Sequence, residues 1–343
     1  MKLSNYFPAF KGIIDSTLRE GLQFRYADFS KSQSKQILTM LSAIGVDKAE
    51  VGNPVNREVS LLIRNLLEIE NRPPLLAHIR NRVEDAAAAM ESRVEGINIF
   101  CTVDEARIDR LGLTFDQYLR ELEKIITLSK KANLEIRVSV ENFFNSNLSL
   151  ALRVYQLADR SDCDRIGIAD TLGMALSWDV EKSVGLLKKN FRPDIEVHFH
   201  NDLGQAVSNA LVALRAGASW VDTTLLGIGE RSGITALSTL LVSLYVYGII
   251  PDSKYRMQLL TEAENNLAGI LGKDVPFNLL TNRSNGFSHK AGVHLHGLIN
   301  FGPQSYELLP PKMIGNERHL VSGTMVSGKT TKREIEDFKK KNP

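Results

Sequence analysis

Eight short runs rich in β-branched and apolar residues recur along the chain, and a stretch of helical periodicity follows each one. They are Gly12 to Asp15, Lys48 to Val51, Leu75 to Ile79, Gly96 to Phe100, Glu135 to Val140, Arg165 to Ala169, Glu196 to His200 and Trp220 to Leu225. Successive runs lie roughly 20 to 40 residues apart, the length of one strand, one helix and two loops. Parallel neighbours need crossovers of that size, and eight of them predict a closed (β/α)₈ barrel rather than a doubly wound open sheet. Such a barrel takes about 250 residues; this chain has 343. The expected division is a catalytic barrel over residues 1–273 and a smaller C-terminal subdomain over 274–343. In the latter, Pro276, Pro303, Pro310 and Pro311 interrupt any further βα period.

Two helices are legible in detail. Ser32 to Ile44 carries Ile37, Leu38, Leu41 and Ile44 on one face, and Phe115 to Ala132 repeats the pattern with Leu119, Leu122, Ile126 and Leu128. The longest nearly apolar stretch, Thr235 to Ile250, contains Ser238, Thr239 and Ser243. It falls short of the roughly 18 apolar residues of a membrane span, so it reads as a helix covered on most sides. Lysine plus arginine number 42 against 40 acidic residues, a balance that gives no field for nucleic acid or a membrane surface. Cys101 and Cys163 stand at no redox or ligand spacing and read as packed thiols. With no secretory h-region near the first residues, the expectation is a cytoplasmic protein.

Reactive groups of such barrels gather where strands end at the C-terminal face. The first run leads into Asp15-Ser-Thr-Leu-Arg-Glu-Gly21, the third reaches His78 and Arg80, and the sixth ends in Asp170-Thr171. The seventh carries His198, His200, Asn201 and Asp202, and the eighth leads to Gly227-Ile-Gly-Glu-Arg231. Residues two apart on a strand face the same side, so His198 and His200 converge into the barrel, and neutral imidazoles so placed are good divalent-metal ligands. Glu20 completes a candidate site. Arg137, Ser139 and Glu141 form another such row, in which a guanidinium fork beside a hydroxyl suits a carboxylate.

Four motifs in this order, Asp15-Ser-Thr-Leu-Arg-Glu-Gly, His198-Phe-His-Asn-Asp202, Gly227-Ile-Gly-Glu-Arg231 and Ser288-His-Lys-Ala-Gly-Val-His294, resemble the homocitrate synthase branch of a metal-dependent barrel family. That family also holds isopropylmalate synthases and hydroxymethylglutaryl-CoA lyases. The likeness runs from about Ile13 to Lys329. It implies that Glu20, His198 and His200 bind a divalent cation (Zn, Mg, Mn or Co), that Arg19 steadies the oxo group of the substrate, and that Gln23 lies beside them. It further implies that His78, Arg137, Ser139 and Thr171 hold the distal carboxylate of 2-oxoglutarate. Glu141, His294 and Tyr306 match a trio that handles the methyl proton of acetyl-CoA, the last two supplied across a homodimer with exchanged C-terminal regions. Isopropylmalate synthases and the lyases place an asparagine ligand where this chain has Ile234, which favours the homocitrate branch. Departures are Leu22 for a usual glutamate, Phe199 for a common glycine, and one extra residue between His294 and Tyr306. Lysine competes with the oxo acid in that branch through acidic groups whose counterparts are Asn98 and Glu196; with one of the two uncharged, weak inhibition is expected.

The implied reaction is condensation of acetyl-CoA with 2-oxoglutarate, an activity that serves amino-acid biosynthesis, that of lysine, in the resembled branch. The alternatives are a related acyl-CoA/2-oxo acid synthase, a lyase of the same fold, and a small-molecule or nucleotide-binding relative without activity. Gly323 to Thr330 fits the P-loop pattern, yet only 13 residues follow it, too few for the second acidic strand a P-loop requires, and it reads as a turn before a last helix.

Overall fold

The computed structural model describes residues 7, 9–251, 253–321 and 332–341. Eight parallel strands close into a barrel in chain order: β1 (Gly12–Asp15), β2 (Lys48–Val51), β3 (Leu75–Arg80), β4 (Gly96–Cys101), β5 (Glu135–Val140), β6 (Arg165–Asp170), β7 (Asp194–Phe199) and β8 (Trp220–Thr223). The ring closes where Ile14 of β1 pairs with Asp222 of β8. The crossover helices are α1 (Lys31–Ile44), α2 (Arg57–Leu67), α3 (Val83–Ser92), α4 (Glu105–Asp109), α5 (Phe115–Lys131), α6 (Leu148–Arg160), α7 (Ser177–Asn190) and α8 (Ala206–Ala216). Helices α9 (Leu237–Val246) and α10 (Leu260–Leu271) follow the last strand.

Local chemistry explains the helix limits. Ser30 and Gln33 form a reciprocal capping box at the start of α1, and Gly45, at φ 93°, ends it in the left-handed conformation that glycine adopts without strain. Between these ends Ile37, Leu38, Leu41 and Ile44 are fully buried. Thr114 and Gln117 cap α5 in the same way, and its buried face holds Tyr118, Leu122, Ile125 and Ile126. Leu128, which the periodicity assigned to that face, is 39% exposed. It lies about 240° around the helix from Leu122, so the stripe built on Ile125 leaves it in solvent. The apolar stretch at Thr235 to Ile250 becomes α9 with a mostly buried surface, although Val246 and Tyr247 emerge at its end.

Most of the core fills the layer between strands and helices. Inside the barrel the apolar fill includes Ile14 and Leu76, and the layer above is charged. Strand β7 ends at Phe199, one residue short of the expected limit, because His200 leaves the ladder to bridge Ile234. No helix among the described residues is long and apolar enough to cross a membrane. Both cysteines are free and buried.

After α10 the chain stays on the barrel for a while, with Phe287, Leu309 and Ile314 packed into its core. It then builds a small unit from β9 (Ser288–His289), α11 (Gly292–Phe301), β10 (His319–Leu320) and α12 (Lys332–Lys341). Strands β9 and β10 pair in parallel, and Leu295, Leu298, Leu320, Ile335 and Phe338 form a second core. The P-loop-like segment at Gly323 to Thr330 lies outside the described residues.

Candidate active site

A cavity of about 200 Å³ opens at the C-terminal end of the barrel. Its wall brings together Arg19, Glu20, Gln23, His78, Arg137, Ser139, Glu141, Thr171, His198 and His200, with Phe100 beside them. Six strand ends contribute, which is how residues scattered over the sequence converge. A larger hollow of about 410 Å³ lies at the opposite barrel end, where its charges are already matched, Lys11 with Asp194 and Arg192 with Asp159.

Glu50, in the middle of β2 and fully buried, organises the floor of the cavity. Its Oε2 accepts from Ser16 Oγ at 2.5 Å and from Arg19 Nε at 2.6 Å. Its Oε1 accepts from Asn98 Nδ2 at 2.6 Å and from Arg137 Nη2 at 3.4 Å, and His78 Nδ1 lies 2.9 Å away. Burial alone would favour the neutral acid, but Arg19, His78 and Arg137 outweigh it and hold the Glu50 carboxyl well below the usual carboxylate range. His78 stacks on Phe100 at 4.9 Å between ring centres, and burial together with the charge on Arg19 lowers its pKa to about 4.

Arg137 is already paired with carboxylates of the barrel interior. Its Nη1 donates to Glu196 and, at 3.1 Å, to Asp222, while its Nε, although buried, has no partner among the described residues. Glu196 also accepts from Arg165 Nε at 2.6 Å. An anion entering the cavity therefore meets a guanidinium already oriented by three carboxylates. Ser139 is buried, and Thr171 uses its hydroxyl oxygen to accept the Asn142 N–H at 2.7 Å, which leaves its own O–H to donate.

Glu20, His198 and His200 offer ligand atoms that all lie within 4.8 Å of one another. His198 Nδ1 faces Asp222 Oδ2 at 3.1 Å, an arrangement that puts the proton on Nδ1 and the lone pair on Nε2. That Nε2 lies 3.3 Å from His200 Nε2 and 4.0 Å from Glu20 Oε2. Burial, reinforced by neighbouring positive charge, lowers both imidazole pKa values to about 4, so both are neutral at pH 7. Glu20 is the converse: burial opposes its ionisation, but Arg19 and the histidines bring it to about 2. Two neutral imidazoles and one carboxylate, with an oriented outer partner, fit a divalent cation. The loop after β8 supports the set from behind: Glu230 N–H donates to Glu20 Oε1 at 3.0 Å, and Gly229 passes so close that a Cβ there would sit 3.0 Å from the same oxygen.

His294 and Tyr306 do not reach this cavity within one chain. They stack on each other in the C-terminal unit with ring centres 4.1 Å apart, Tyr306 lying over Gly297, where a Cβ would collide with its ring. Glu141, at the cavity rim, instead pairs with Arg107 of α4 at 2.8 Å. Sequence reasoning missed Glu50, Phe100, Asp222 and Arg107. The first and third were detectable, since an acid inside a β-branched run, as in Lys-Ala-Glu-Val or Trp-Val-Asp-Thr, needs a buried cation to explain it.

Residues 11–267 match the model of the HMGL-like family, and residues 283–339 match that of the homocitrate synthase post-HMGL domain-like family. A mitochondrial homocitrate synthase of Schizosaccharomyces pombe is 36% identical over 92% of this chain and 76% of its own. A homocitrate synthase of Pyrococcus abyssi is 34% identical over 95% of this chain and 90% of its own. Among solved structures, the hydroxymethylglutaryl-CoA lyase of Pseudomonas aeruginosa superposes with a TM-score of 0.68 at 19% identity, covering 79% of this chain and 96% of that one, a likeness of fold. With both of its regions matched in order and relatives of this closeness along nearly its whole length, the chain belongs to the HMGL-like barrel family, in its homocitrate synthase branch.

Proposed function

We propose that this chain condenses acetyl-CoA with 2-oxoglutarate and hydrolyses the resulting thioester, releasing homocitrate and CoA. The observation that carries the reading is the cavity itself, whose lining joins a metal-type triad to an oriented guanidinium, Arg137, a combination suited to an oxo acid with a second carboxylate. A divalent cation held by Glu20, His198 and His200 supplies Lewis-acid polarisation of the 2-oxo acid. Arg19, fixed between Glu20 and Glu50, adds positive charge where the keto oxygen gains negative charge during attack. His78, Ser139, Thr171 and Arg137 hold the distal carboxylate, and Gln23 borders the reacting end. The C–C bond forms between the acetyl methyl carbon and the keto carbon as a base takes the methyl proton. Water then displaces CoA thiolate from the new thioester.

His294 is the base in this reading, with Tyr306 stacked on it, and both act in a second copy of the chain, where they meet Glu141. Apolar side chains exposed on both surfaces support such a pairing. Val293, Phe301 and Leu308 are each more than 60% exposed in the C-terminal unit, and Leu172, Met174 and Leu203 are exposed on the loops after β6 and β7. The exchanged unit in this reading begins at β9 rather than at the expected division at residue 273, since Phe287 still packs into the barrel core. We place the protein in the cytoplasm, to which two buried free thiols are suited.

CoA release from acetyl-CoA with a panel of 2-oxo acids, with and without chelator, tests the function. Release with 2-oxoglutarate that chelator abolishes is the expected result. Release with another oxo acid alone overturns the substrate, and undiminished release after complete metal removal overturns the site.

A further inference from the structure

Behind the loop that supports Glu20 lies a second set of buried contacts. Leu226, in the turn after β8, has φ 60°. A leucine in this left-handed region is strained, so something must hold it there. Its N–H donates to Glu264 Oε1 at 3.1 Å. Glu264 projects from α10 and is fully buried, and its other oxygen accepts the hydroxyl of Thr281, also fully buried. Thr281 belongs to the segment that leads from α10 to the C-terminal unit. Its carbonyl accepts from Asn265 Nδ2 at 3.3 Å, and nearby Asn316 Nδ2 donates to Leu280 O at 2.7 Å.

From Leu226 the contacts run forward to the metal triad. Gly227 accepts the Ile234 N–H at 3.0 Å, and Gly233 lies so close to Gly227 that a Cβ would fall 1.9 Å from its carbonyl oxygen. Glu230, between them, donates its N–H to Glu20 Oε1, and Ile234 bridges to His200. The same loop thus supports two of the three ligands from its far side, and its near end is pinned by a carboxylate that also grips the C-terminal linker.

We propose that Glu264 and Thr281 are positioning residues that transmit the seating of the C-terminal linker, through the strained turn at Leu226, to the placement of Glu20 and His200. Seating of the linker and metal affinity are therefore coupled. The inference rests on Glu20, His198 and His200 being the metal ligands. Thr281→Val keeps the shape of the side chain and removes the hydroxyl from Glu264, Thr281→Ser restores it, and Ile63→Val in α2 serves as a core substitution outside these contacts. Apo protein of each form is titrated with Co²⁺ while its absorption spectrum is followed, and folding is checked by circular dichroism. Outer contacts to metal ligands change affinity about 10- to 100-fold when lost. One layer further out, a rise of about 5-fold in the Kd of Thr281→Val is expected, with Thr281→Ser and Ile63→Val near wild type. Folded Thr281→Val with wild-type affinity overturns the coupling and leaves the metal reading intact, as does an equal loss in Ile63→Val. Absence of saturable Co²⁺ binding by the wild type overturns both. If Thr281→Val does not fold, Thr281→Ala, which also removes the hydroxyl from Glu264, is titrated in its place under the same criteria.

Discussion

Replacing Glu50 by glutamine keeps the shape of the side chain, so no cavity forms, and changes only its charge and one acceptor. The carboxylate now takes donors from Ser16, Arg19, His78, Asn98 and Arg137. A glutamine amide must turn its NH₂ toward one of these two groups, and on either side it meets an arginine N–H that cannot accept. One charge-assisted hydrogen bond is lost, worth about 1.5–3 kcal/mol, and the buried arginine N–H left unpaired costs a similar amount, about 3–6 kcal/mol together. At about 2 °C per kcal/mol for a large domain, the Tm should fall by about 6–12 °C. Arg19 loses the contact that fixes its guanidinium, and loss of one preorganised donor to a developing oxyanion costs about 10²–10³ in kcat. Thermal unfolding by circular dichroism and CoA release with 2-oxoglutarate measure the two effects. A variant within 2 °C of the wild-type Tm, with kcat lowered less than about 3-fold, would refute Glu50 as the organiser of the floor.

Other outcomes follow from the same geometry. Asp222→Asn removes the charge facing His198 Nδ1 and should raise the metal Kd about 10- to 100-fold, measured by chelator competition; an unchanged Kd counts against the oriented imidazole. His78 has a folded pKa lowered to about 4 against about 6.5 when unfolded, so the unfolded chain takes up the proton first. Its contribution is complete above pH 6.5 and is lost as pH falls toward 4, by up to about 1.4 kcal/mol per unit. Urea unfolding of His78→Gln across this range should show a slope flatter by one proton, and equal slopes would contradict the buried neutral ring. Free lysine should compete only weakly with 2-oxoglutarate, because Glu196 is already paired with Arg137 and Arg165 and Asn98 is uncharged. A submicromolar inhibition constant would overturn that.

The barrel was legible because short apolar, β-branched runs alternate with helical stretches up to β8, and parallel pairing leaves one economical closure. The convergence of Glu20, His198 and His200 was legible in part, because the two histidines lie two apart at the end of the seventh run. Interior partners were harder to read. Asp222 and Glu50 lie 24 and 31 residues from the side chains they meet, and only the lateral pairing of β7 with β8 and of β1 with β2 sets one beside His198 and the other beneath Arg19. The contact between Glu264 and Thr281 had no signature at all, since a glutamate on a helix ordinarily faces water. Strand and helix limits differed by a residue or two where caps or the bridge at His200, rather than hydrophobicity, decided them.

At a height where barrels commonly stack branched aliphatic side chains, this one stacks Glu50, Asn98, Arg137, Glu196 and Asp222. Aliphatic walls yield to an extra methylene at modest cost, whereas an array of fixed charges tolerates changes of volume only where its pairings survive. A cavity floored by such a layer should select by the number and position of negative charges on its guest. A shorter diacid should be a poor but recognisable guest, and a neutral chain of the correct length should be no guest at all.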